Sequence, residues 1–361
     1  MKEKKKVWLN EVSFMRPILL VLLVSYHAFA PYCGAWAMPE GIQPIESYKW
    51  IALFSRAFRL EAFVFISGYI FTFQLLTKNK FHNVWNLSVN KAKRLLVPCV
   101  FFGTIYYLCF QNIMPNTNLV RIFAGIGHLW YLPCLFWLFI AQYLVIKSNI
   151  LRKRLLGKWK LVGSVYAHVR GGNLLIISVL PILSVLPFPL QLNRVFYYIL
   201  FFYGGGLFYQ YSDKIAKKTT VKCTVLLWCL FIVMVFLLNI LMENNSFIAS
   251  TSGFFIKIIL KVINIYLKIS LAWVGITALY QTAVIYCRKH IINKFLLNVG
   301  VCGYGVYIFH QFILVHIYDQ TNLPQVLGTY LMPWISMIFT IAISVILTLL
   351  VRETKLGKMY L

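Results

Sequence analysis

The sequence predicts an all-α integral membrane protein, on three observations. Of 361 residues, 60% are hydrophobic and 12% charged, whereas soluble domains carry about 25% charged residues. Ten apolar stretches can be read, each near the roughly 20 residues that a helix needs to cross a bilayer. The 35 Lys and Arg are concentrated in short loops between alternate stretches, the pattern that fixes membrane orientation. A net charge of +26 would point to nucleic acid in a soluble chain. With the cations gathered between apolar spans it points to topology instead, and no nucleic-acid partner is expected.

The expected spans run over 13–32, 51–77, 94–113, 128–147, 173–187, 195–211, 223–242, 260–286, 299–318 and 333–351. The fifth is short and interrupted by Pro181, Pro187 and Pro189. Both ends of the chain and loops 78–94, 147–170, 212–222 and 287–294 hold most of the basic residues. The opposite loops hold only Lys49, Arg121 and Arg194, with Lys257 and Lys261 near the start of the eighth span. Both termini are therefore expected in the cytoplasm of a multi-pass cell (inner) membrane protein. Lys2 to Lys6, the following apolar run and Ala28-Phe29-Ala30 superficially fit a signal peptide. Pro31 would follow the cut and nine spans come after, so an uncleaved first helix is expected. The eight cysteines lie mostly within spans and lack Cys-x-x-Cys spacing, so they read as small core hydrophobes rather than a disulfide framework. No Walker loop, dinucleotide fingerprint or metal-binding helix pattern is present. The expectation is one membrane domain, residues 1–361, with no metal and no bound cofactor.

Ionisable groups are expensive inside a bilayer and mark functional positions. Arg16 and His27 both lie in the first span. Eleven residues are three helical turns plus about 20°, so both side chains share one face, roughly 16 Å apart along the axis. His27 falls toward the outer end, and an imidazole suits proton transfer near neutral pH. Arg16, toward the cytoplasmic end, reads as a donor contact or an interfacial anchor. Glu61, one of nine acids in the chain, sits among Arg56 and Arg59 and requires pairing or protonation if buried; it orients a histidine such as His27 or belongs to a structural cluster. Ser67-Gly68 permits close helix approach, with Ser67 also a weak nucleophile or oxyanion candidate. Lys91, Lys93 and Arg94 precede the third span, where they can hold the phosphates of a cytosolic donor or anchor to anionic lipid. His128 and Trp130 open the fourth span at the outer interface, as an aromatic belt or as an acceptor site for stacking sugars. Tyr203-Gly204-Gly205-Gly206 reads as tight packing or irregular helix. His310, mid-span in the ninth, is a hydrogen-bonding residue or a further site candidate. Lys257, Lys261 and Lys268 share a helix face without an assigned role.

Taken in order, these segments resemble acyltransferase family 3, the integral membrane O-acyltransferases, and especially its fucose 4-O-acetylase-like branch. The resemblance is carried by Arg16 with His27, Phe63-Val64-Phe65-Ile66-Ser67-Gly68-Tyr69, Lys93-Arg94-Leu95-Leu96-Val97-Pro98, His128-Leu129-Trp130-Tyr131-Leu132-Pro133 and Tyr304-Gly305-Val306-Tyr307-Ile308-Phe309-His310. It implies an acetyl or similar short acyl group passing from acyl-CoA to a carbohydrate hydroxyl beyond the membrane. His27 would be the catalytic base and Arg16 a donor-handling residue. Many members have Arg-x-Arg where this chain has Lys91-Ala92-Lys93-Arg94, and lysine lacks the bidentate fork. The hydrolase-like outer domain of some members is not seen in this sequence. The implied partners are membrane lipid, acyl-CoA as co-substrate, a carbohydrate acceptor and glycan-synthesis enzymes. The rival reading is a polysaccharide exporter without transferase activity. An ion-coupled transporter would predict internal repeats, and none is visible.

Overall fold

The computed structural model describes residues 9–110, 119–156, 175–251, 253–291, 293–354 and 357. Most of the basic loop 147–170 and Lys2 to Lys6, used above for topology, lie outside the described residues. Helix is the regular structure of the described chain, with no strand among the described residues. In chain order the helices are α1 (Asn10–Ala28), α2 (Glu46–Arg56), α3 (Arg59–Leu76), α4 (Val84–Lys91), α5 (Val97–Phe110), α6 (Leu119–Ala124), α7 (Tyr131–Leu156), α8 (Leu175–Val185), α9 (Leu192–Gln210), α10 (Ser212–Lys218), α11 (Val221–Thr251), α12 (Phe254–Lys289), α13 (Lys294–Asp319) and α14 (Leu323–Glu353). Six described helical segments are long and apolar enough to cross a membrane: Asn10–Ala28, Val84–Phe110, Gly127–Ser148, Val221–Thr251, Asn298–Asp319 and Leu323–Glu353. The all-α membrane class therefore holds, and helix also occupies most of the described residues of the other expected spans. Those other helices are more polar or shorter: α12 carries Lys257, Lys261 and Lys268, and α8 is a short apolar helix.

The expected second span, 51–77, is two helices separated at Ala57–Phe58. The break seats Phe58, 1% exposed, edge-on against Phe231, with ring centroids 5.1 Å apart. It also lies over Gly275, where a β-carbon would come within 2.8 Å of the Phe58 ring. Helical periodicity is interrupted here to fill a pocket that needs an aromatic ring and a bare backbone.

The chain divides into two compact units. One comprises Met1–Phe63, Asp213–Met242 and Lys268–Leu361. Its centre is α1 against α13, with α14 folded back on α13. Small residues set the approach of these helices: Gly300 faces the Arg16 side chain, Gly303 faces Leu20, and Gly305 faces Thr348. On α14, Ser336, Thr340, Ser344 and Thr348 recur every fourth residue and are all buried, which places one narrow hydroxyl-bearing stripe on its inward face.

α14 is kinked at Gly328, whose φ of 68° favours glycine. One residue further on, the Thr329 carbonyl has lost its usual helical donor, because the residue four positions later is Pro333. Tyr32 supplies the missing bond, its hydroxyl donating to the Thr329 carbonyl at 2.8 Å. Tyr48 donates to the Tyr330 carbonyl at 3.0 Å, and Trp334 Nε1 donates to the Tyr48 hydroxyl at 3.1 Å. Phe29 packs edge-on against Tyr48 and Trp334, so the end of α1, the start of α2 and the kink of α14 form one aromatic joint.

The second unit comprises Val64–Ser212 and Glu243–Leu267. Here the two glycine signals of the sequence meet. A β-carbon on Gly68 would collide with the Phe202 carbonyl, and one on Gly205 with the Phe65 carbonyl. α3 and α9 therefore cross in backbone contact, and α9 stays helical through Gly204-Gly205-Gly206. Tight packing, not irregularity, is what these glycines provide. Gly206 makes room for Gln142, which donates to Thr72 at 3.2 Å.

Between α4 and α5 the chain makes a π turn over Ala92–Leu96. Pro98 explains it: the ring excludes the Arg94 carbonyl from normal i, i+4 bonding, and the backbone widens to accommodate this.

The joint at Thr329 yields a prediction. Tyr32→Phe should cost about 1–2 kcal/mol of stability, read as a lowered melting temperature of the detergent-solubilised protein. In a Pro333→Ala background a backbone donor returns to the Thr329 carbonyl, and the cost of Tyr32→Phe should fall by at least about half. Equal losses in the two backgrounds would refute the compensation.

Candidate active site

α1 presents Arg16 and His27 to the same neighbour, as the eleven-residue spacing predicts. Arg16 lies over Gly300 of α13. His27, 9% exposed, meets two residues further along α13. Its Nδ1 is 3.3 Å from Gln311 Nε2, and its ring centroid is 5.0 Å from that of His310 at a tilt of 49°. The two helices run parallel, since higher-numbered residues of α1 meet higher-numbered residues of α13. Trp36, beyond the turn that follows α1, closes another side of His27 at 5.6 Å between centroids. It packs edge-on against Tyr318, whose hydroxyl donates to the Ala28 carbonyl at 2.6 Å and meets Ser336 at 3.2 Å. The base candidate therefore sits in a pocket of fixed aromatic and amide groups.

The hydrogen bonds restrict the tautomers. His310, fully buried, has Nδ1 2.7 Å from the Tyr307 carbonyl and 3.1 Å from the Val306 carbonyl. Carbonyl oxygens only accept, so Nδ1 carries the proton and the neutral ring keeps its lone pair on Nε2. His310 in that form is an acceptor, which does not suit an oxyanion donor. For His27 the amide of Gln311 decides. Gln311 offers either its N–H₂ or its carbonyl oxygen to Nδ1. Base chemistry at His27 Nε2 requires the second arrangement, with His27 Nδ1–H donating to Gln311 Oε1.

The polar start of α3 is buried as well. Arg59 is 3% exposed, with its guanidinium 3.7 Å from the centroid of the Tyr26 ring. Glu61 is 9% exposed and, with Arg56, lies in electrostatic range of Lys268 on α12. Lys268 thus lies in a charged cluster with Glu61 and Arg56, a placement the lysine periodicity alone did not give.

In the other unit, the basic element divides. The Lys91 ammonium sits 3.4 Å from the centroid of Phe139, with Phe71 and Phe81 at 5.5 and 5.7 Å. The ammonium thus makes cation–π contacts with three rings. Lys93 and Arg94, on the π turn, are exposed. Ser67 lies on α3 beside the Gly68 crossing. His128 is buried on the 3-10 turn before α7, edge-on to Tyr106 at 5.8 Å. Trp130 stacks on Tyr198, with centroids 5.9 Å apart at 26°, and carries the Arg194 guanidinium at 3.7 Å.

The structure thus brings together Arg16, His27 and His310 around α13, and Lys91, Lys93 and Arg94 on one short element. Gln311 and Trp36 at His27, and Arg194 and Tyr198 at Trp130, were missed in the sequence. A mid-span amide next to a mid-span histidine was a readable signal for Gln311. Nothing local marks Trp36. Among the described residues no group of His, Cys, Asp or Glu has the geometry to hold a metal ion.

The family profile for acyltransferase 3, described as an acyltransferase domain, matches residues 9–353. No curated protein matches the chain, and no solved structure matches it.

Replacing Gln311 tests its hold on His27. Gln311→Leu should lower kcat for acyl transfer by about tenfold, the worth of one neutral hydrogen bond in the reacting geometry, with KM changed by less than about twofold. Gln311→Glu, which keeps an acceptor for His27 Nδ1–H, should recover most of the loss.

Proposed function

We propose, since this chain belongs to acyltransferase family 3 and is a multi-pass membrane acyltransferase, that it moves an acetyl or similar short acyl group from acyl-CoA to a hydroxyl of a cell-surface or lipid-linked carbohydrate. The observation that carries the reading is His27 held by α13 on the helix face that also bears Arg16. The proposed setting is the inner membrane, with about ten spans and both termini cytoplasmic, as the distribution of basic loops supports. That topology directs Arg16 toward the side of a cytosolic thioester and His27 toward the side of the acceptor.

In the proposed step, His27 Nε2 takes the proton of the acceptor hydroxyl as its oxygen attacks the thioester carbonyl. The tetrahedral intermediate collapses with cleavage of the C–S bond, and the proton passes from His27 to the departing thiolate. With its amide turned so that Oε1 faces His27 Nδ1, Gln311 holds the tautomer that leaves Nε2 free of a proton, and His310 stands beside it with its Nδ1–H on backbone carbonyls. Glu61 is the carboxylate proposed to support the histidine from the α3 start. Ser67 remains the proposed oxyanion donor. Lys93 and Arg94 are the proposed phosphate ligands of the donor nucleotide, with Lys91, caged by rings, fixing the shape of their element. His128 and Trp130 are proposed on the acceptor side. Glycan-synthesis enzymes are the proposed functional partners.

His27→Ala should reduce transfer of a labelled acyl group by about 10²–10⁴-fold while the protein reaches the membrane in normal amount. Near-normal acylation of the acceptor would sink the assignment, and would return weight to the exporter reading. On the donor side, Lys93→Ala and Arg94→Ala should each raise KM for acyl-CoA by about three- to tenfold, with kcat less affected. An unchanged KM in both variants would remove the basic element from the donor site.

A further inference from the structure

Four ring or amide groups stand around His27, and one of them is not part of the helix packing. Gln311 and His310 belong to α13, and Tyr26 of α1 sets its ring edge-on to His27 at 4.9 Å. The fourth, Trp36, comes from a non-helical segment and is half-buried. Its chain neighbours Gly34, Ala35 and Ala37 are small and exposed, so they do not cover the part of the indole that remains open.

The segment is held at both ends. It leaves the 3-10 turn Ala30–Cys33 through Gly34, with φ of 71°. The Gly34 and Ala35 N–H groups donate to the Pro31 and Ala30 carbonyls, each at 3.1 Å. Further on, Ile42 is buried and the Gln43 N–H donates to Thr329 Oγ1 at 3.1 Å. Trp36 itself rests edge-on against Tyr318, with centroids 6.1 Å apart. Tyr318 is in turn fixed by its bonds to the Ala28 carbonyl and to Ser336. An indole held in this way keeps its place beside the base before a ligand arrives, which lowers the ordering cost of receiving one.

Charge indicates what the indole receives. The segments that bracket it, residues 29–49 and 316–323, carry Glu40, Glu46 and Asp319 against Lys49, and Lys49 is engaged by Glu46 at 3.5 Å. Glu40 and Asp319, which directly follows Tyr318, are exposed, and their carboxylates repel an anion. An uncharged sugar meets no such repulsion. Its hydroxyls can donate to a carboxylate, and its C–H face is apolar enough to lie on an aromatic ring.

We infer that Trp36 is the platform for the acceptor, and that the acceptor group is a neutral sugar whose ring stacks on the indole and directs one hydroxyl to His27. The inference rests on the proposed acyl transfer and adds to it the residue that selects the acceptor.

The full chain is reconstituted in vesicles and supplied with labelled acetyl-CoA. The acceptors are glycans extracted from the membranes of cells that produce the protein, separated into neutral and uronate-bearing fractions. The neutral fraction should be acylated with the higher kcat/KM. Trp36→Leu, which keeps an apolar body beside His27, should raise KM for the neutral fraction at least about fivefold while KM for acetyl-CoA stays within about twofold. Trp36→Tyr keeps a ring face and should hold both constants within about twofold of the wild type. Should Trp36→Leu fail to fold, Ala37→Cys gives a second measurement at an exposed position. Labelling at residue 37 by a water-soluble maleimide, read by mass spectrometry, must slow at least about threefold when the neutral fraction is added. An unchanged acceptor KM in Trp36→Leu, equal losses in the Leu and Tyr variants, or no protection at residue 37 would overturn the platform. Preference for the uronate-bearing fraction would overturn the neutral class. These outcomes leave the transfer reaction standing; a wild type that acylates neither fraction would remove the reaction, and this inference with it.

Discussion

The parallel contact of α1 with α13 is the constraint on which the site depends. Its register is constant: His27 and Gln311 are 284 residues apart, and the same offset pairs Arg16 with Gly300. Gly300 and Gly303 let α13 approach Arg16 and Leu20 without intervening side chains. That approach brings His310 and Gln311 against His27 at the other end. Helices in an apolar medium gain little from hydrophobic burial against each other, so close van der Waals packing and interhelical bonds set their register. A β-carbon at Gly303 would press on Leu20 at 3.3 Å, whereas one at Gly300 would sit in ordinary contact with Arg16 at 3.8 Å.

Much of this was legible in the sequence because helical periodicity is a rigid rule. Arg16 and His27 had to share a face, and the structure shows them sharing the neighbour that face contacts. Gly68 and Gly205 were each legible as points of close approach. That they meet each other was not, since sequence reports that a backbone is bare and not which backbone arrives. The break at Ala57–Phe58 was hidden for a related reason: the local sequence is apolar enough to continue as helix, and the pocket between Phe231 and Gly275 that interrupts it comes from distant segments. Lys91, Lys93 and Arg94 read as one basic patch, yet only Lys91 falls among Phe71, Phe81 and Phe139. Charge patterning cannot separate a caged cation from an exposed one two residues away.

At Pro333 and at Pro98 the helical ladder is broken, and these two breaks are answered by a specific donor and by a specific widening. Pro333 removes a donor and Tyr32 replaces it from outside the helix. Pro98 removes another, and the π turn absorbs the defect within the chain. In water either carbonyl would be solvated at little cost; in hydrocarbon an unmet carbonyl costs several kcal/mol. Residues far apart in sequence, such as Tyr32 and Pro333, are thereby coupled by backbone chemistry rather than by side-chain packing.

The two ends of α1 are held differently, and the difference matches the roles proposed for them. At the His27 end, polar bonds cross between elements: Ser25 to Ser55 at 3.3 Å, His27 to Gln311, Tyr318 to the Ala28 carbonyl, and Tyr32 to the Thr329 carbonyl. Each bond fixes direction as well as distance, which is what a proton-transfer group requires, because its barrier depends on geometry held before the reaction begins. At the Arg16 end the arginine stem faces Gly300 of α13, which presents no side chain to it. A histidine fixed by bonds from several elements is the placement that its proposed role as base requires.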